Sequence, residues 1–360
     1  MTTRDNAPRT KLPGARPKKI HVTAATASVL AALTFPAHGQ SAGQSTEQFF
    51  KSTQLTMIVG SGAGGGYDVL GRLVAQYLTK YLPGKPNIVV KNMPSASGVQ
   101  AANYMFNTAP HDGSTISAAT NAALMLPFYN THVAHYDPRK FEWIGSVFKQ
   151  QAICVTWHTS KIKTLADAMK QETTVSATGV SAGPGVFPKI LNEMLGTKFK
   201  VISGYTTNSM RLAIEKGEVD GACGLAWQTY KTVSRDWIAN KKLNILAQIG
   251  VEKHPDLPDV PNVLDMIKNP DDKKVLELIV TPQEFGRPYI APPGVPADRM
   301  EAYRKAFEAM LKDKQFIADL AKQGGTPEPM TAEAITALLA KAYAAPQALR
   351  ERAAALAGQL

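Results

Sequence analysis

Leu55-Thr56-Met57-Ile58-Val59 runs straight into Gly60-Ser61-Gly62-Ala63-Gly64-Gly65-Gly66 and then Tyr67-Asp68-Val69-Leu70, and this stretch decides the fold. The first five residues are apolar at four positions, which reads as a strand covered on both faces, since a half-exposed strand would alternate apolar with polar. Beyond the glycines, Val69, Leu70, Leu73, Val74, Tyr77, Leu78 and Tyr81 recur at spacings of three and four. That periodicity marks one apolar face of a helix over 69–82, stopped by Pro83-Gly84. Ile88-Val89-Val90 is the next strand signal. A strand, a helix and a second strand make a parallel crossover unit.

The same alternation continues outward. A helix is expected over 99–107, a turn at His111-Asp112-Gly113-Ser114, and strands over 115–119 and 153–157. The middle of the chain repeats the theme: a strand over 174–178 enters the loop from Gly179 to Gly185, and a helix over 187–195 follows. Residues 199–202 lead through Gly204-Tyr205-Thr206-Thr207-Asn208 into a helix over 210–216. Asn244-Ile245-Leu246-Ala247-Gln248 reads as a strand returning to the first domain, and Pro255, Pro258 and Pro261 stiffen the connection after it. Two amphipathic helices, over 297–323 and 331–357, close the chain. The pattern is α/β, with mostly parallel sheets flanked by helices.

With 360 residues, 44% of them apolar, the chain can bury the cores of two domains. Its formal charge of +11 raises the question of nucleic acid, but the charge is unevenly placed. Residues 1–43 carry Arg4, Arg9, Lys11, Arg16, Lys18 and Lys19 against Asp5 alone, so +5 of the +11 lies there. Elsewhere cations alternate with acids along helix faces, and no basic stripe with interleaved aromatics exists. Nucleic-acid binding is therefore not expected. Lys18-Lys19, a mildly apolar run over 20–35 and small residues before Gly39 or Gly43 have the order of an export signal. No later run reaches the ~20 apolar residues that a membrane helix needs. Cys154 and Cys223 are the only cysteines. In an oxidising compartment they can pair, or they are two buried free thiols.

The Gly-rich loop stands where a strand passes to a helix, so its backbone N–H groups and the positive end of the helix dipole can hold an anion. Gly60, Gly62 and Gly65 also fit the dinucleotide spacing, the leading enzyme alternative. That alternative lacks its acidic partner, because the second strand ends Val90-Lys91-Asn92. No Gly-Lys-Ser/Thr phosphate loop is present, and His111, His132, His135, His158 and His254 lack metal-ligand spacing. Asp68, in the first helical turn, either offsets the helix dipole or accepts from a ligand.

Several motifs occur in one order: Gly64-Gly65-Gly66-Tyr67-Asp68 with Gly71-Arg72, Asn92-Met93-Pro94-Ser95-Ala96-Ser97-Gly98, Ala109-Pro110-His111-Asp112-Gly113 and Gly217-Glu218-Val219-Asp220-Gly221. Leu257-Pro258-Asp259-Val260-Pro261 and Ala291-Pro292-Pro293-Gly294-Val295-Pro296 follow. In that order the chain resembles the Bug (TctC-like) substrate-binding proteins of tripartite tricarboxylate transporters, from about residue 53 to 330. The resemblance implies a periplasmic-binding-protein-like clamp of type II: two α/β domains, a ligand cleft between them, and a carboxylate held by backbone N–H groups and water. It also implies a two-component membrane permease as partner, no cofactor, no enzymatic activity and a monomer. The loops at 92–98 and 204–208 depart from the family pattern and border the expected cleft.

The expected organisation is an export signal over 1–43, one domain over 44–150 plus 243–360, and a second over 151–242. Gly62, Ala63, Gly64, Gly65, Gly66, Tyr67 and Asp68 should hold one carboxylate, with Thr120 and Asn121 adding side-chain bonds. Ser181, Gly183, Gly185, Tyr205, Thr206 and Asn208 should close from the second domain, and Trp227 should form an apolar wall. The first prediction concerns the front of the chain. N-terminal sequencing of protein from its native host should begin after Gly39 or Gly43; an intact Met1 in the cytoplasm contradicts export.

Overall fold

A computed structural model describes residues 44–129, 134–180 and 182–357. The export-signal expectation at 1–43 lies outside them. Among the described residues eleven strands form two sheets. They are β1 (Leu55–Val59), β2 (Ile88–Asn92), β3 (Thr115–Ala118), β4 (Glu142–Ser146), β5 (Ala152–Trp157), β6 (Thr173–Ala177), β7 (Phe199–Ser203), β8 (Gly221–Ala226), β9 (Leu243–Ile249), β10 (Pro288–Ala291) and β11 (Met330–Thr331). The first sheet has the order β11-β4-β10-β3-β1-β2 and the second β7-β6-β8-β5-β9.

β1 lies between β2 and β3, parallel to both, and its Leu55, Met57, Ile58 and Val59 are buried, which is why it shows no polar alternation. The helix Gly66–Tyr81 covers it with Leu70, Leu73, Val74, Tyr77 and Leu78. Gly71 lets that helix approach closely, since a Cβ there would stand 3.2 Å from Val59 Cγ2. The buried Tyr77 ring packs edge-on against Phe316 at 5.3 Å and its hydroxyl donates to Asp319 at 2.6 Å, so the C-terminal segment is locked to the first crossover unit. Burying such a side chain contributes about 1.5–3 kcal/mol.

Both sheets are mixed. β1, β2, β3 and β4 share a direction while β10 runs antiparallel to β3 and β4; in the second sheet β5 runs antiparallel to β8 and β9. The chain leaves the first sheet after β4 and returns to it at β10. The expectation that residues 244–248 return to the first domain is therefore corrected: β9 pairs along β5 at the edge of the second sheet. Its apolar residues suit either sheet, and only the partner strand decides. The segment behind β9 follows it, because Val263, Leu264, Val275, Leu276 and Ile279 join the same core as Ala152, Phe187 and Ile249.

The two expected C-terminal helices are each divided. Asp313 caps a new helix, Lys314–Lys322, behind Ala297–Leu311, and the Ala332–Tyr343 and Gln347–Ala357 helices are separated at Pro346. Strand β8, Gly-Ala-Cys-Gly-Leu-Ala, has little strand propensity, yet it sits between β6 and β5. A Cβ at Gly221 would stand 1.9 Å from the Val155 carbonyl oxygen, so close strand packing explains its composition.

Cys154 and Cys223 are cross-strand partners on β5 and β8, both fully buried, and form a disulfide. It closes a separation of 69 residues, which restricts the unfolded chain. Purified protein should show no thiol to an alkylating reagent without reductant. The Cys154→Ala/Cys223→Ala variant should lose roughly 2–4 kcal/mol by urea unfolding; two titratable thiols in the untreated protein would contradict the pairing.

Candidate functional site

A cavity of about 470 Å³ lies at the carboxyl ends of β1, β3, β6, β7 and β8, where the loops of both sheets meet. That position is the expected one for a ligand in α/β folds. Helices start on its wall from both sides: Gly66–Tyr81 and Asn121–Tyr129 behind the first sheet, Gly183–Leu195 and Thr207–Glu215 behind the second. Among the described lining residues none carries a charged side chain. One part of the wall is hydroxylic and rich in backbone, with Ser61, Gly66, Ser97, Thr178, Thr207 and Thr229; another is apolar, with Met125, Leu126, Val186, Phe187 and Ile279.

Gly62, Gly66, Tyr67, Thr120, Asn121, Gly183, Tyr205 and Thr206 line this cavity, as the sequence suggested. Several of their side chains are already committed, however. Thr120 Oγ1 donates to the Ser97 carbonyl at 2.8 Å and caps its own helix by accepting from Ala123 N. Asn121 accepts from the Tyr67 hydroxyl and donates to the Pro282 carbonyl, both at 3.0 Å. Thr206 closes a capping box with Ser209. These groups build the walls and leave backbone donors and other hydroxyls for a ligand. Ser61 Oγ and Ser97 Oγ are buried and have no partner among the described residues.

Ala63, Gly64, Gly65, Asp68, Gly185, Asn208 and Trp227 do not line the cavity. Gly64 has φ of 74°, so a side chain there would be strained, and an added Cβ would face Asn208 Nδ2 at 3.2 Å. A Cβ on Gly65 would face Thr207 Oγ1 at 3.3 Å. The glycine loop of one sheet thus abuts the first turn of Thr207–Glu215 from the other, at the cavity rim. Gly185 packs against the carbonyls of Gly179 and Val180. Trp227 turns from the cavity into the core with Tyr230 and Trp237, and its Nε1 donates to Asp256 at 2.9 Å. Ser181 lies outside the described residues. Thr229, Gln283 and Ala357 went unrecognised in the sequence because no local pattern marks a side chain brought to the wall by distant packing.

Asp68 neither caps its own helix nor faces the cavity. Its Oδ2 accepts from Gly64 N at 2.8 Å and Arg72 Nε at 3.1 Å, and its Oδ1 from Asn92 Nδ2 at 2.8 Å. The N-cap of that helix is Gly65, without a side-chain cap, so its first N–H groups remain open towards the cavity. Burial raises the Asp68 pKa, but the bonds from Arg72, Gly64 and Asn92 outweigh it and hold the carboxyl below its usual value.

Two mixed sheets flanked by helices, with a cleft at their carboxyl ends, define a solute-binding clamp of the periplasmic-binding-protein kind. Residues 70–352 match the tripartite tricarboxylate transporter family receptor, and the chain belongs to that family. A UPF0065 protein of Agrobacterium vitis is 27% identical over 289 residues, covering 77% of this chain and 77% of the relative. The periplasmic binding protein BugD superposes with a TM-score of 0.68 at 20% identity, covering 85% of this chain and 98% of that one. MatC from Rhodopseudomonas palustris, solved with bound malate, superposes with a TM-score of 0.65 at 17% identity, covering 85% and 100%.

The Asp68 network has a definite pH signature. A depressed folded pKa contributes stability that is present above the unfolded value of about 3.9 and lost as pH falls through the folded value. Asp68→Asn should lower stability by roughly 1–3 kcal/mol at pH 7 and by less at pH 3. Urea midpoints measured from pH 3 to 7 check this; a loss that grows on acidification would contradict the assignment.

Proposed function

We propose that this chain is an exported receptor that captures a small carboxylate between its two sheets and delivers it to the membrane subunits of a tripartite transporter. One observation carries the reading. The cavity wall is uncharged, and the Gly66–Tyr81 helix begins on it without a side-chain cap, so a bound anion meets a helix dipole, backbone donors and hydroxyls. Neutral donors suit a ligand that must be released again, because a desolvated ion pair is slow to separate. The family membership and the malate held by MatC agree with this choice.

In this reading the two sheets are the cores of two lobes. Residues 147–151 and the segment between β9 and β10 cross between them. Glutamine side chains brace the crossing: Gln151 Nε2 donates to Gln248 Oε1, and Gln283 bonds Ala152 N and the Ile249 carbonyl. Contact of Gly64 and Gly65 with the Thr207–Glu215 helix then marks the closed rim. Residues 1–43 direct export to the periplasm, where the receptor acts as a monomer without a cofactor.

The alternative, an enzyme using the Gly-rich loop, makes the opposite forecast. Purified protein should be incubated with a panel of di- and tricarboxylates, aromatic acids and amino acids. A receptor gains about 2.7 kcal/mol of stability at a hundredfold excess over Kd and leaves its ligand unchanged by NMR. Turnover of a panel member, or no rise in melting temperature with any, would falsify the receptor reading.

A further inference from the structure

Arg287, the residue before β10, is only 2% exposed and forms no ion pair among the described residues. Its guanidinium lies over the Tyr67 ring at 3.9 Å from the centroid, with the Phe148 ring at 5.8 Å. Nη2 donates to Thr229 Oγ1 at 2.8 Å, while Nε and Nη1 have no hydrogen-bond partner among the described residues. An arginine does not shed its proton, so a full positive charge is buried here with no counter-charge in the described structure.

Its place is specific. Gly66 and Thr229 both line the cavity, and a Cβ on Gly66 would stand 2.8 Å from Thr229 Oγ1 and 3.1 Å from Arg287 Nη2. The absent side chain thins the wall at the open start of the Gly66–Tyr81 helix. Thr229 accepts from the guanidinium and makes no other hydrogen bond among the described residues, so its own hydroxyl proton can be donated into the cavity. Helix dipole, polarised hydroxyl and buried cation meet at this one corner.

The other helix starts on the wall are taken: in Asn121–Tyr129 the Ala123 N–H already donates to Thr120 Oγ1. The Gly183–Leu195 helix has Pro184 in its first turn, which lacks an N–H, and Gly185 N is spent on the Ala182 carbonyl. The Thr207–Glu215 helix is capped by its own Thr206. Ser61 and Ser97 are neutral donors, and Met125, Leu126, Phe187 and Ile279 make the rest apolar. A second carboxylate on the ligand would be desolvated without a compensating charge.

Resting on the receptor reading above, we propose that the ligand is an acid with one carboxylate and an uncharged, largely apolar body. The carboxylate sits at the Gly66–Thr229 corner, and Arg287 is its counter-charge, acting through the Thr229 hydroxyl. Arg287 is thus a specificity-determining residue that does not touch the ligand, which reconciles a neutral wall with an anionic solute.

Calorimetric titration with hexanoate, adipate and hexanamide tests this on the wild type and on Arg287→Met, Arg287→Lys and Thr229→Val. Wild type should bind hexanoate at least about tenfold more tightly than adipate or hexanamide. Arg287→Met should weaken hexanoate roughly ten- to hundredfold and leave hexanamide unchanged. Its ligand-free melting temperature should stay level or rise, since an unpaired buried charge is gone. Arg287→Lys should recover part of the preference for hexanoate over hexanamide, and Thr229→Val should lose it, which decides the matter even if Arg287→Met does not fold. Equal hexanoate affinity in wild type and Arg287→Met overturns the role of Arg287 while the receptor reading stands. Tighter binding of adipate, or of malate with no binding of hexanoate, overturns the single-carboxylate class. If no carboxylate of either panel binds wild type, the receptor reading itself falls.

Discussion

The Asp68 carboxylate holds the geometry on which the site depends. It ties the glycine loop at Gly64, the end of β2 at Asn92 and the next helical turn at Arg72 into one unit. A loop with five glycines in seven residues would otherwise sample many conformations, and fixing it is entropically costly. Because the carboxylate is spent on the loop and not on the helix start, the first N–H groups of the Gly66–Tyr81 helix stay unsatisfied by side chains. One side chain therefore both ties down the loop and leaves the helix start uncapped at the cavity.

A second constraint is the shared wall. Thr120, Asn121 and Tyr67 resemble ligand-binding groups by composition and position, yet their hydrogen-bonding capacity is used in joining Ser97, Pro282 and Gly286. The Tyr67 hydroxyl bonds the Asn121 side chain and the Gly286 carbonyl, while its ring lies against Arg287. Burial raises the Tyr67 pKa, with Arg287 and the Asn121 bond working against it, so it remains a neutral strut. The side chains of Tyr67, Thr120 and Asn121 are thus bonded to their neighbours, and the cation stands behind the wall.

The strand–glycine–helix unit at 55–82 was legible because burial on both sides of β1 and the 3.6-residue period of the helix are local patterns. The helix at 99–107 and the glycine loop that lines the cavity were legible for the same reason, and the ordered motifs pointed to the family. Strands β8 and β10 were not, since Gly-Ala-Cys-Gly-Leu-Ala and Pro-Tyr-Ile-Ala become strands only by lying between others.

By itself the sequence determined the class of fold and the loop that faces the cleft, both readable from short-range periodicity and residue chemistry. Tertiary structure alone decided which sheet β9 joins, because apolar alternation names no partner. It also decided which polar side chains remain free, because commitment depends on neighbours as far as 219 residues away, as between Tyr67 and Gly286. It decided finally that Arg287 matters at all. In the sequence it is one cation among forty Lys and Arg; only packing shows it sealed behind Gly66 with no ion-pair partner among the described residues.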